Sequence, residues 1–216
     1  MKTNRQLLAA AILMALACTA NHAAEMSASP DKPVVDGGDI ANLNAAVVTS
    51  DKWWPENSSG AGSAKGQTFT TGDLKVLLKS ITYQVDAGQQ ATATKIYKIR
   101  VGSILGNVFT EMHTEMATQD FTWNGGEYMT WAFETPVLLE ADTSYAIDIG
   151  LISSTSGWPS GIPYINVTGD GYDGGWRYSS GQNGLGTPQL NLDTNRDRIF
   201  HIDLEYPPQG FQFIIE

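Results

Sequence analysis

The chain is 216 residues long, 42% hydrophobic and 10% aromatic, enough to build one full domain core. Its 13 basic and 23 acidic residues leave a net charge of −10, which argues against nucleic acid and anionic membrane surfaces as partners, since both need clustered lysine and arginine. The 22 glycines and the scarcity of long helix-forming runs favour short strands and turns.

Residues 1–24 read as a secretory signal that stands apart from the fold. Lys2 and Arg5 form a positive start, Leu7 to Ala17 is an apolar run, and small residues follow at Ala20, Ala23 and Ala24. The run is too short to anchor in a bilayer, and cleavage is expected after Ala24, with Ala20 as the second choice. Cys18 is the only cysteine, and a lipoprotein signal would place its leucine-like residue further upstream than Leu16. Cleavage beyond Cys18 leaves no disulfide, so stability must come from core burial, helped by a metal if one binds. It also removes two of the 13 basic residues and none of the acidic ones, taking the net charge from −10 to −12. These features predict a protein that is secreted, periplasmic or at the cell surface. No other apolar run approaches the roughly 18 residues that a membrane helix needs.

Residues 25–43 are small and polar, with Pro30, Pro33, Gly37 and Gly38, and read as a flexible N-terminal lead-in. A single domain is expected over 44–216. Asn44–Thr49 is a first short strand, and the polar loop after it carries Trp53-Trp54-Pro55. Gln67–Thr70 is a short strand. In Leu74–Asp86, Ile81, Tyr83 and Val85 alternate with polar residues, the period of a half-buried strand. Thr94–Ile104 puts Tyr97, Ile99 and Val101 on one face and Lys98 and Arg100 on the other, and Gly106-Asn107 marks a turn. Val108–Gln119 has mixed faces.

Tyr128–Thr135 is a strand that Pro136 ends or marks as an edge. Val137–Glu140 and Ser144–Ile152 follow, the latter with Tyr145, Ile147, Ile149 and Leu151 inward and Asp148 outward. A Gly/Ser/Pro loop with Trp158 leads to Tyr164–Thr168. Arg198–Tyr206 is the last clear strand, with Phe200, Ile202 and Leu204 opposed to His201, Asp203 and Glu205. Pro207-Pro208 breaks it, and Phe211–Ile215 is a terminal strand or an apolar tail. About ten to twelve strands without a helix, and turn signals about every 8–15 residues, predict an all-β, antiparallel two-sheet sandwich of jelly-roll type.

Several segments carry a family resemblance. They are Gly66–Gly72, Leu78–Thr82, Tyr97–Gly102, Glu134–Leu139, Tyr145–Gly150, Tyr172–Trp176 and Asp197–Leu204. Together they resemble the extracellular β-sandwich domains of bacterial exported surface proteins, many of which carry a PEP-CTERM-type sorting segment. The resemblance covers most of residues 66–204. It implies a sandwich fold similar to carbohydrate-binding modules. After Glu205 the chain carries no Pro-Glu-Pro motif, apolar helix or basic tail, a departure that favours simple export.

The stretch Gly169–Gly181 gathers aromatics, carboxylates and a guanidinium among glycines, the composition of a ligand-facing loop or of a tight turn whose aromatics fall into a core. A pyranose presents C–H bonds that stack on a flat π face, and its hydroxyls need polar partners close by. The loop aromatics Trp53, Trp54, Trp158, Tyr172, Trp176 and Tyr178, with Arg177, are therefore the candidate sugar contacts. Trp131, in a strand alternation, is expected in the core.

Asp193-Thr194-Asn195-Arg196-Asp197 has the D-x-N-x-D spacing of calcium loops, but Arg198 and Leu204 stand where an EF-hand needs glycine and an acid. A looser structural Ca²⁺ site shared with Asp170 and Asp173 is one reading, and a solvated acidic loop is the other. His201 with Asp203 and Glu205, and His113 with Glu111 and Glu115, are candidate general bases or solvent-facing strand residues. No nucleophile elbow, zinc signature or phosphate loop occurs. The expected function is a non-catalytic module binding polysaccharide or a cell-surface glycan. The alternatives are an adhesive or structural surface protein and a small polysaccharide-degrading enzyme with an unidentified carboxylate pair.

Overall fold

The computed structural model describes residues 23–53, 64–86, 95–154, 164–180 and 190–208. Cys18 and most of the signal segment, Trp54, Trp158 and the Phe211–Ile215 segment lie outside the described residues. Among those described the protein is all-β: fourteen strands and no helix. In chain order they are β1 (Ala23–Ser29), β2 (Ile40–Asn42), β3 (Val47–Lys52), β4 (Lys65–Thr70), β5 (Val76–Gln84), β6 (Lys95–Leu105) and β7 (Val108–Gln119). The rest are β8 (Tyr128–Leu139), β9 (Ser144–Ser154), β10 (Tyr164–Gly169), β11 (Arg177–Ser180), β12 (Leu190–Asp193), β13 (Arg196–Arg198) and β14 (Phe200–Glu205).

Eleven strands form one sheet in the order β12-β11-β4-β9-β6-β7-β1-β8-β5-β14-β2, and β13-β10-β3 form a small second sheet. The large sheet curls over on itself. Strands β6 and β8 are three steps apart in it, which in a flat sheet would separate them by about 14 Å. Yet Tyr97 of β6 and Trp131 of β8 meet edge to face with ring centroids 5.7 Å apart. One hydrophobic core joins residues from both arms of the curl, among them Ile99, Ile147 and Ile149 on one side and Ile81, Met129 and Ile202 on the other. The period-2 alternation read from the sequence for β5, β6, β8, β9 and β14 supplies these inward residues.

Several expectations change. Residues 25–43 are not a loose lead-in. Ala23–Ser29 lies inside the large sheet, with Ala23 and Ala24 parallel to Met116 and Ala117 of β7 and Glu25–Ser29 antiparallel to β8. Its polar, small composition hid it, because both partners lie far along the chain. The other strand pairings are antiparallel, so β1 adds the single parallel pairing among the described residues. Pro136 does not end β8: the register against β5 shifts between Leu78 and Ser80, and the proline sits in that bulge, where no ladder N–H is required. Asp148 does not face water. The outer face of β6 and β9 is covered by a second cluster of Phe109, Ala146, Tyr178 and Leu190, and Asp148 meets Arg100 there at 2.5 Å. No helix among the described residues is long and apolar enough to cross a membrane.

Trp53 sits at the centre of the core. Its ring packs on Tyr97 and Trp131 at 5.8 and 5.6 Å, and its Nε1–H donates to the Ile149 carbonyl at 2.8 Å. We predict that Trp53→Ala lowers unfolding free energy by about 3–5 kcal/mol, read from urea titration, through the lost burial and the cavity left behind. A loss under about 1 kcal/mol would mean that the ring does not organise the core.

Candidate functional site

The small sheet contributes Ile165 of β10 to the main core, and it meets the β4–β11 part of the large sheet through a polar cluster. Arg198 of β13 is fully buried. Its Nε donates to the Gly66 carbonyl at 2.9 Å, and its Nη2 to the Tyr178 carbonyl at 3.0 Å and to Asp51 Oδ2 at 3.2 Å. Asp51 of β3 also pairs with Arg177, whose Nη2 reaches Asp193 Oδ2 at 2.5 Å. Burial works to raise the Asp51 carboxyl, but Arg198, Lys65 and Arg177 outweigh it and hold the group below the usual carboxylate range. Lys65 lies at the same place, its Nζ donating to Ser179 Oγ at 3.0 Å. Burial first, then repulsion from Arg198, push its ammonium down to about 8.

The loop between β10 and β11 hangs from this cluster. Asp197, buried, accepts the Gly171 and Tyr172 N–H groups on Oδ2, both at 2.9 Å, and the Gln67 side-chain amide on Oδ1 at 2.9 Å. Burial raises its carboxyl above the ordinary value despite these donors. Gln67 Oε1 in turn accepts the Arg198 N–H at 3.1 Å. Further along, Thr68 clamps the Trp176 peptide: its N–H donates to the Trp176 carbonyl at 2.9 Å and its Oγ1 accepts the Trp176 N–H at 2.7 Å. Gly175 makes that approach possible, since a Cβ there would stand 2.0 Å from the Thr68 carbonyl oxygen. The Trp176 indole is left 37% exposed. It borders a cleft of about 230 Å³ with Asp173 and Gly174 of the loop, Thr70 and Ser144 from β4 and β9, Ile104 beside the β6–β7 turn, and Leu192 of β12. Thr70 Oγ1 and Ser144 Oγ lie 3.1 Å apart on its floor.

The other sequence candidates separate into three groups. Trp53 and Tyr178 are fully buried and offer no face to a ligand; the Tyr178 ring closes over Gly66, where a Cβ would meet it at 2.2 Å. Tyr172 is half-buried, edge-on to Phe200 at 5.4 Å, and its hydroxyl accepts the Thr70 N–H at 3.4 Å, so it braces the loop from behind. Arg177 is spent on two aspartates. Trp176 and Asp173 come together on one cleft, and Arg177, Asp193 and Asn195 border a second, polar one beside β11 and β12.

The calcium pattern does not converge. Asp193 is bound to Arg177 and to the Asn195 N–H, while Asp197 faces the other way onto its three donors. Asp170 is exposed. No group of three or more His, Cys, Asp or Glu able to hold a metal occurs among the described residues. Among the described residues these carboxylates are thus engaged separately rather than gathered in one cluster.

The two histidine clusters hold backbone. His113 Nε2 lies 2.8 Å from Glu115 Oε1, and the buried Glu115 carboxylate accepts the N–H groups of Glu134 and Thr135. His201 is not a solvent-facing strand residue: it is 6% exposed. Its Nε2 lies 2.9 Å from Asp39 Oδ2, and Asp39 also accepts the Leu204 and Asp36 N–H groups. The segment read as a lead-in is thus what covers His201.

Sequence reasoning missed Asp51, Lys65, Gln67 and Arg198. A signal was present, because Gln67 shares parity with Phe69 and Arg198 with Phe200 and Ile202, which puts polar groups on the buried face.

Compared with known proteins, the chain matches no family model and no curated sequence. Among solved structures it is similar to the cysteine protease and lectin-like domains of Cwp84, a surface layer associated protein of Clostridium difficile. The TM-score there is 0.44 and the identity 9%, over 68% of this chain and 33% of that one. It is also similar to the clostridial cysteine protease Cwp84 after propeptide cleavage, with a TM-score of 0.46 and 11% identity over 82% of this chain and 42% of that one. The chain spans less than half the length of either.

Lys65 gives this region a pH signature. An ammonium lowered to about 8 binds fewer protons in the folded than in the unfolded chain up to its ordinary value of 10.5. Stability therefore rises with pH from about 8 until tyrosine ionisation near 10 reverses it, because buried Tyr83 and Tyr97 resist ionising. We predict that Lys65→Met flattens this rise and adds on the order of 2 kcal/mol at neutral pH. Unfolding curves for both proteins across that interval test it; parallel pH profiles would show Lys65 to be fully solvated.

Proposed function

We propose that this chain is an exported, non-catalytic carbohydrate-binding domain and that the Trp176 cleft receives the sugar. What supports the reading is an exposed indole whose peptide is clamped by Thr68, beside the hydroxyls of Thr70 and Ser144 and the carboxylate of Asp173. A stacking platform of this kind needs rigidity, because each side chain ordered on binding costs affinity. Thr68 and Asp197 meet that need by fixing the loop before any ligand arrives. The N-terminal signal, cut at the second-choice site after Ala20 so that Ala23 and Ala24 stay in β1, would bring the domain to polysaccharide outside the cytoplasm. The two arms of the curled sheet would then act as the layers of a jelly-roll-like sandwich, as in the exported surface proteins and carbohydrate-binding modules that its segments resemble. In this reading residues 23–208 form one unit, with β1 and β2 included.

Affinity electrophoresis and calorimetry against a panel of soluble polysaccharides test the proposal. At least one glycan should retard the protein, and Trp176→Ala should weaken that binding about tenfold or more, the scale of a truncated aromatic anchor. The exposed position of the ring predicts an unchanged unfolding midpoint for this variant. Retention of no glycan, or a Trp176→Ala protein that binds like the parent, would overturn the reading.

A further inference from the structure

The aspartates packed around the loop are not equivalent. Asp51, Asp193 and Asp197 are each held by guanidinium, amide or N–H donors. Asp173 is different: no described residue donates to its carboxylate, and it lies exposed on the cleft that Trp176 borders. The two residues between them, Gly174 and Gly175, carry no side chain into that space. No lysine or arginine lines the cleft among the described residues, so nothing there neutralises the charge.

A carboxylate beside an indole face is a receptor for an ammonium group. The carboxylate accepts a charge-assisted hydrogen bond, and the ring quadrupole attracts the same cation. The cleft is also small. About 230 Å³ falls below the roughly 300–1,000 Å³ of sites for drug-sized ligands, which limits it to about one sugar ring. The net charge of −10 favours a cationic ligand and repels a uronic acid.

We propose that the cleft binds a protonated amino sugar, a hexosamine whose nitrogen is not acylated, with its ammonium on Asp173 and its ring face on Trp176. This rests on the carbohydrate reading of the same site. The Thr70 and Ser144 hydroxyls then meet the ring hydroxyls, and Ile104 and Leu192 close the apolar side. Asp173 is the residue that sets specificity, and Trp176 supplies the binding surface common to sugars.

Calorimetry on the full chain at mildly acidic pH, where the sugar amine is protonated, compares glucosamine, N-acetylglucosamine, glucose, glucuronate and a lysine amide. Glucosamine should bind about tenfold tighter than N-acetylglucosamine and glucose, the scale of a hydrogen bond to a charged group, and glucuronate should not bind. Asp173→Asn should bring the glucosamine-to-glucose ratio to about one, and high salt should do the same. If glucose binds as well as glucosamine and Asp173→Asn leaves the ratio unmoved, the amino-sugar assignment fails and the carbohydrate reading stands. A lysine amide that binds as tightly as glucosamine also overturns it, in favour of a basic peptide. No binding by any sugar overturns both.

Discussion

The Arg198 guanidinium, buried between two sheets, is the constraint on which the site depends. A buried cation is costly unless acceptors meet it, and the Gly66 and Tyr178 carbonyls and the Asp51 carboxylate take its Nε and Nη2 donors, while Nη1 has no hydrogen-bond partner among the described residues. The two carbonyls belong to neighbouring strands of the large sheet, and the carboxylate belongs to the small one. Neither sheet can shift against the other without stranding that charge. Apolar packing alone would tolerate sliding, since hydrophobic contact is non-directional. The hydrogen-bonded cluster fixes the relative position of the sheets along a set of directions.

From that fixed point the loop is reached by alternation along two short strands. On β13, Arg198 holds the sheets while its neighbour Asp197 holds Gly171 and Tyr172. On β4, Gln67 ties the two β13 residues together and its neighbour Thr68 clamps Trp176. Adjacent residues with opposite duties are what the pleat permits, because successive side chains leave the strand in opposite directions. The result is an indole presented on a backbone that has few remaining freedoms. Lys65 sits on the same strand at a cost, first from its burial and then from the positive charge of Arg198 and Arg177 in that pocket.

Much of the strand plan was legible in the sequence because alternation is a local signal. Ile81 and Tyr83, Tyr97 and Ile99, and Ile147 and Ile149 all point inward as their spacing requires. Trp176 was legible as a candidate for the same reason, since glycines surround it and no strand period absorbs it. Trp53 was misread because its surroundings are polar, and the contacts that bury it, Tyr97, Trp131 and Ile149, come from strands far along the chain. The D-x-N-x-D spacing is a different kind of signal. Asp193 lies on β12 and Asp197 on β13, with the turn between them, and the two carboxylates leave toward different partners. Spacing in sequence measures proximity, and it does not set direction. Arg177 was read as a sugar contact and Arg198 only as a break in the calcium-loop pattern; both are engaged by partners whose positions only the tertiary fold defines.

The placement of β1 carries a consequence for how the chain is made. This strand emerges before either of its neighbours, since β7 begins at Val108 and β8 at Tyr128, and Glu25 pairs with Ala132. During synthesis it has no seat. Until it docks, β7 and β8 each show an open edge on the side that β1 will occupy, and an open edge is a template for pairing with another chain. The earliest strand to be made therefore completes the sheet late, a long-range closure that is slow by its nature. A cell that makes this protein has an interval in which its largest sheet stands open at the centre, and the short segment that closes it is the one whose sequence least resembles a strand.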